Sequence, residues 1–378
     1  MNNKAIDLGL RETFPETAAA AVLVKPGRHL EPRRFPLVAP PENGILVKIN
    51  CCTICGSDVH SWQGRRPSPV PGILGHEIVG TIAALGKGIT HDCGGRPLRV
   101  GSRITWTLID VCHNCWFCRE QILVMKCRYL KKYGHQSCEP PPHLNGGFAE
   151  YCYLTSGTRV VRIPDELSDE VAAPANCALA TVVAGLEAAG IKPLGTVLIQ
   201  GAGALGIYAA ALARHIGCRC IIVTDIREHR LAFVKAFGAT EILNVAQMGD
   251  RDIVAAIRDF TDGLGVDACL EVAGKPGLIP LGLKCLRIGG TLVEIGNSFP
   301  RADFTYDASD IIWRRLTLKG IHNYHANHLQ QGIDFLKMRR TRFPFKDIVT
   351  HRYRLDQINQ AMQTAASGEA IRVAVFPG

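Results

Sequence analysis

Residues 197–217, VLIQGAGALGIYAAALARHIG, decide the fold. The segment opens with an apolar run, turns on Gly201, Gly203 and Gly206 in G-x-G-x-x-G order, and continues as an alanine-rich stretch with helical spacing. The first glycine permits a tight turn, the second lets a pyrophosphate approach the backbone, and the third lets helix pack close to strand. The helix N-terminus then offers free N–H groups to the anion. The next apolar run, CIIVT at 220–224, leads into Asp225, where a carboxylate accepts hydrogen bonds from the adenosine ribose hydroxyls. A carboxylate there repels a 2′-phosphate, so NAD is favoured over NADP, and only Arg227 and Arg230 turned toward the ribose would soften that preference. Glycines that served helix packing alone would need neither the strand before them nor the acid after.

Downstream, apolar runs at 268–272 and 291–295 alternate with helical patterns, which predicts a parallel sheet covered by helices. Upstream, Ser168 is placed to cap an alanine-rich helix that stops at Gly190. Residues 18–162 differ in character, with short runs such as GILVKI (44–49) and IVGTIAA (78–84) between turn signals, and read as mostly β. The tail from 321 is helical and ends in IRVAVF, 371–376. A chain of 378 residues exceeds what one core usually organises, so the expectation is an α/β protein of two domains.

The formal charge of +9 is scattered along the chain. Its densest basic cluster, KMRRTR at 337–342, reads as a helix end rather than a nucleic-acid patch. The start lacks the pattern of a secretory leader and the apolar stretches are broken by Pro174, Asn176, Glu187 and glycines, so a cytoplasmic protein with neither nucleic-acid nor membrane partner is expected. In such a chain fifteen cysteines point to metal ligands and buried thiols rather than disulfides.

Two metal constellations emerge. Cys112, Cys115, Cys118 and Cys127 crowd one loop at spacings that suit tetrahedral zinc with no open position, a structural site. Cys55, His76 and Cys177 are dispersed. Two thiolates and a neutral imidazole neutralise Zn²⁺ and leave a fourth position for water or an alcohol oxygen, as a catalytic zinc requires. Taken singly, each has a bland reading as a buried thiol or a core histidine; the combination points to chemistry.

The segments CGSDVH (55–60), GHE (75–77), the four-cysteine loop, GGFAEY (146–151), Cys177 with Thr181, the Gly201 turn with Asp225, and GEAIR ending at Arg372 together resemble the zinc-dependent medium-chain alcohol and polyol dehydrogenases over nearly the whole chain. Several stretches are also similar to dehydrogenases associated with phosphonate catabolism. The resemblance implies a GroES-like, mostly-β catalytic domain, residues 1–178 with 321–378 returning to it, around a Rossmann NAD-binding domain at 179–320. It further implies that Asp58 orients His76, that Glu77 lies beside the metal, that Ser57, a cofactor ribose and His60 relay a proton, that Thr181 touches the nicotinamide, and that Arg372 touches the pyrophosphate. It places Arg66, with Leu108 opposite, at the substrate pocket. Eight residues separate Cys118 from Cys127 where the family usually has seven, and the short segment after Cys127 resembles the tetrameric branch of these homo-oligomers.

The expected reaction is hydride transfer between an alcohol and NAD. Arg65 and Arg66 suggest an alcohol carrying a carboxylate, phosphate or phosphonate; a neutral polyol or threonine-type substrate is the alternative. His322, His325 and His328 lie where the tail re-enters the catalytic domain and border the same pocket by expectation, without making a metal site. A zinc-free quinone reductase, or a non-enzymatic NAD sensor or nucleic-acid-binding protein, would have no need of Cys55, His76 and Cys177 together.

Overall fold

The computed structural model describes residues 14–120 and 123–378. Its organising feature is a six-stranded sheet, parallel throughout, in the order Glu241–Asn244, Cys220–Asp225, Thr196–Gln200, Val266–Glu271, Leu286–Glu294, Thr317–Gly320. The central strand Thr196–Gln200 is buried at every position, because helices cover both faces of a parallel sheet. Four of the strands fall at the apolar runs. The two outermost, Glu241–Asn244 and Thr317–Gly320, have no buried position and so carry no apolar run to announce them.

Of the two further sheets among the described residues, of three and eight strands, the larger is mostly antiparallel, and its long strands Ile45–Thr53 and Glu77–Leu85 pair along nearly their whole length. The C-terminal strand Arg372–Phe376 joins it by pairing Ala374 with Thr53 and Val375 with Cys52.

One expectation needs correction. The helix capped by Ser168 does not run unbroken to Gly190. Ser168 Oγ accepts from Val171 N, but the helix Asp169–Ala172 gives way to a 3₁₀ turn at Ala173–Asn176 before Ala178–Ala189 resumes and stops on left-handed Gly190. Pro174 lacks an N–H and cannot sit inside an α-helix, and the break delivers Cys177 at the junction. Among the described residues no single helix is long and apolar enough to cross a membrane.

Candidate active site

Three unrelated pieces of backbone bring the dispersed ligands together. Cys55 is the N-cap of the helix Gly56–Trp62, directly after the strand Ile45–Thr53. His76 precedes the strand Glu77–Leu85, and Gly75 before it has φ +85°, with the Phe148 ring 2.6 Å from where a Cβ would stand; only glycine fits. Cys177 comes from the helix break. Cys55 Sγ and Cys177 Sγ lie 4.0 Å apart. Tetrahedral zinc with Zn–S of about 2.3 Å would set two sulfurs about 3.8 Å apart, so the donors fit the metal. Ligand atoms of Cys55, His76, Glu77 and Cys177 all lie within 4.8 Å of one another.

The residues around these donors hold them in place. Asp58 is fully buried, and its carboxylate accepts from His76 Nδ1 at 3.0 Å, Gly75 N at 3.1 Å and Cys55 N at 2.9 Å. The first of these directs His76 Nε2 toward the metal position and the other two tie together the backbone of two ligand segments. Ser57 Oγ lies 3.4 Å from His76 Nε2, beside that position. Glu77 accepts from Thr53 Oγ1 at 2.5 Å and from Arg372 Nη2 at 2.7 Å; burial pushes its carboxyl up to about 8 against the pull of Arg372. Arg372 is therefore committed first to Glu77, although it also lines the cleft and its Nε has no partner among the described residues.

Asn176 escaped the sequence reading except as a break in an apolar run. It is fully buried, and its Nδ2 donates to the carbonyls of His76 and Trp106, both at 3.0 Å, so the residue before one ligand grips the backbone of another. No local pattern announces such a role.

His60 lines the same cleft one helical turn after Ser57. Burial, with Arg65 repulsion behind it, holds its imidazole below the ordinary value, so it is a neutral proton acceptor near pH 7. The glycine turn forms the opposite wall. Gly201 has φ +116°, a Cβ on Gly206 would strike the Gly201 carbonyl oxygen at 1.8 Å, and a Cβ on Gly203 would meet nothing among the described residues nearer than Arg230 Nη1 at 3.9 Å, its sequence neighbours aside. The first and third glycines are thus required by backbone geometry, and the second leaves space for a ligand. Asp225 uses both oxygens locally, accepting from Ala202 N at 2.7 Å and Arg227 N at 2.9 Å. The Arg227 and Arg230 guanidiniums bond to the carbonyls of Ser367, Gly368 and Ala370, at the C-terminal end of the helix Ile358–Ser367. Thr181 lines the cleft between the two walls.

At the substrate end, Arg66 and Leu108 both line the cleft, whereas Arg65 is exposed and bonded to the Gln63 side chain. Of the three tail histidines only His322 reaches the cleft. His325 caps the helix Ala326–Arg339, and His328 bonds back to the His325 backbone and to Glu187, which corrects the expectation for those two. Lys132 and Asn323 also line the cleft, 3.3 Å apart. Burial, then Arg66, holds the Lys132 ammonium down at about 8.

The second cluster is equally well formed. Sγ–Sγ distances are 3.5 Å for Cys112–Cys127, 3.6 Å for Cys115–Cys118 and 3.9 Å for Cys115–Cys127, again those of tetrahedral zinc. Cys127 stands with the other three despite the additional residue before it, whose loop includes positions 121–122, outside the described residues.

A cleft with an open metal set on one wall and a dinucleotide turn on the other defines a metal-assisted dehydrogenase. Residues 41–165 match the alcohol dehydrogenase GroES-like domain, and residues 204–338 match the zinc-binding dehydrogenase family. An L-threonine 3-dehydrogenase from Vibrio parahaemolyticus is 31% identical over 88% of this chain and 91% of its own. The crystal structure of an alcohol dehydrogenase from Thermotoga maritima is 30% identical, with a TM-score of 0.91 over 96% of this chain and 100% of its own. A zinc-binding dehydrogenase from Sinorhizobium meliloti, solved with NADP, is 26% identical, with a TM-score of 0.84 over 96% of this chain and 100% of its own. The chain belongs to the zinc-dependent medium-chain alcohol dehydrogenases, an oxidoreductase family built on zinc and a nicotinamide dinucleotide.

Proposed function

We propose that this enzyme oxidises an alcohol with NAD as the preferred hydride acceptor, at a catalytic zinc held by Cys55, His76 and Cys177. The observation that supports this most is the meeting of those three donors, from positions up to 122 residues apart, on the wall facing Gly203. Zinc bound there supplies the Lewis acidity that makes an alcohol hydroxyl acidic near neutrality, and the nicotinamide supplies the hydride acceptor.

The protein's own share is positional. Ser57 Oγ, beside the metal position, would take the hydroxyl proton while handing on its own, and His60, neutral at pH 7, would receive the relayed proton and release it outward. The two are not hydrogen-bonded to each other, so the relay needs a bridging hydroxyl. Thr181 and Gly203 would flank the dinucleotide, and Arg372, whose Nε has no partner among the described residues while Nη2 stays on Glu77, would bind its pyrophosphate. Asp225 favours NAD, and the Arg227 and Arg230 side chains that could reward a 2′-phosphate each donate to the Gly368 carbonyl. The second zinc, on the four cysteines, orders its loop.

We take residues 1–178 with 321–378 as the catalytic domain and 179–320 as the cofactor domain; residues 1–13 lie outside the described residues. A cytoplasmic homo-oligomer is the accompanying proposal. The oligomer is supported by the outer edge of Thr317–Gly320, which pairs on one side only among the described residues, and by Ile312 and Trp313, 73% and 79% exposed.

Replacing Cys55 with Ala is expected to abolish NADH formation from alcohols while NAD binding, followed by fluorescence titration, persists. Turnover retained in C55A would refute the assignment.

A further inference from the structure

The cleft between the metal donors and the glycine turn is lined by four cationic side chains, Arg66, Lys132, Arg230 and Arg372, and, among the described residues, by no aspartate or glutamate. Two have work at the cofactor end. Arg230 lies beside Gly203 of the glycine turn, and Arg372 is paired with Glu77. The other two stand at the substrate end. Lys132 reaches in from the strand Lys131–Lys132, with Nζ 3.3 Å from Asn323 Oδ1. Arg66 Nη1 lies 3.5 Å from His135 Nε2, and the His135 ring is 4.9 Å from that of His76. Behind them Lys126 Nζ donates to His322 Nδ1 at 2.9 Å, which adds a third cation to the same end.

These cations have no anionic partner of their own. Among the described residues neither Arg66 nor Lys132 forms a salt bridge; their hydrogen-bond partners are a neutral imidazole and an amide oxygen. The nearby Asp58 carboxylate is engaged by His76, Gly75 and Cys55. The Cys55 and Cys177 thiolates balance the two charges of zinc. Positive charge placed in a cleft without compensation is costly, and a bound anion is what removes the cost. The donor chemistry is specific too, since a planar guanidinium beside an ammonium matches the several oxygens of a carboxylate or phosphate.

We propose that Lys132 and Arg66 form an anion-binding subsite beside the catalytic metal, so that the alcohol oxidised here carries a carboxylate or phosphate-type group, with His135 positioning Arg66. This rests on the dehydrogenase reading of the site. Lys132 is the specificity-determining residue that sequence patterns did not single out.

The test uses the zinc-loaded enzyme, NAD, and two matched pairs of alcohols: 3-hydroxybutyrate with its methyl ester, and glycerol 1-phosphate with glycerol. Binding of inorganic phosphate is measured in parallel by calorimetry. The wild type is expected to favour the anionic member by roughly tenfold or more in kcat/KM, the worth of one charge-assisted hydrogen bond. Which pair shows the preference separates a carboxylate from a phosphate. In Lys132→Met that ratio falls by a similar factor, through KM rather than kcat, and phosphate binding weakens with it; Lys132→Arg recovers most of both. Esters and glycerol used as well as their anionic partners by the wild type, or phosphate bound equally by wild type and K132M, would overturn the subsite. Zinc-dependent oxidation without charge preference overturns this inference alone, whereas turnover surviving C55A overturns the dehydrogenase reading on which it rests.

Discussion

Replacing Asp58 with Asn isolates how far the catalytic metal depends on one buried carboxylate. Asp58 accepts three hydrogen bonds, from His76 Nδ1, Gly75 N and Cys55 N, and has no exposed surface. Asparagine keeps the volume but offers one oxygen. With Oδ1 turned to His76 and Gly75, its amide nitrogen faces the Cys55 N–H, donor against donor. A buried donor left unpaired costs about 1–3 kcal/mol, and losing the charge on the bond to His76 costs about 1 kcal/mol more. A total near 3 kcal/mol corresponds to roughly a hundredfold at about 1.4 kcal/mol per decade, the upper end of the 10–100-fold that carboxylates behind metal-bound imidazoles contribute to metal affinity. The opposite amide rotamer fares worse, because it drives His76 to the tautomer that protonates Nε2 and blocks ligation. Competition against a chromophoric chelator reads the effect directly. One zinc per chain should be released about a hundredfold more easily from D58N, while the four-cysteine zinc stays as an internal control. A change below about threefold, or an equal loss from both sites, would refute the assignment of Asp58.

Two further outcomes are expected. Asp225→Gly removes the charge that repels a 2′-phosphate, so kcat/KM for NADP relative to NAD should rise by roughly tenfold; an unchanged ratio in paired steady-state assays would show that selection lies elsewhere. Glu271 accepts the backbone N–H groups of Ala273 and Gly274, and burial, then the neighbouring Glu294, raises its carboxyl from 4.5 to about 8. Between those values the native state binds more protons at this group than the unfolded chain does, so its contribution to stability is full below 4.5 and is lost as pH rises through 8. Denaturant unfolding at pH 6 and 8.5 should show the wild type losing stability with pH and Glu271→Gln losing less, and identical slopes would count against the raised carboxyl.

How much of this was legible in the sequence depended on whether the information was local. The turn at Gly201, Gly203 and Gly206 and the four-cysteine loop are short-range patterns, and the backbone demands and donor types behind them hold wherever the chain places them. The dispersed set of Cys55, His76 and Cys177 was legible as chemistry, through the donor types and a family resemblance, but not as geometry. Its 4.0 Å sulfur contact spans 122 residues and follows from the pairing of Ile45–Thr53 with Glu77–Leu85, the Pro174 break and the grip of Asn176 on the His76 carbonyl. The two outer strands of the parallel sheet went unread because their residues are not buried, so no apolar pattern is required of them. The same limit applied to the charges. Arg65, Arg66 and Lys132 are alike as letters in a sequence, and only the tertiary structure exposes the first and sets the other two on the cleft wall. Sequence alone determined which atoms this protein has for binding a dinucleotide and two metals, because those capacities belong to residue types and short spacings. The tertiary structure decided which cations face the substrate and which are spent on carbonyls or Glu77, because burial and pairing depend on what the rest of the chain packs beside them.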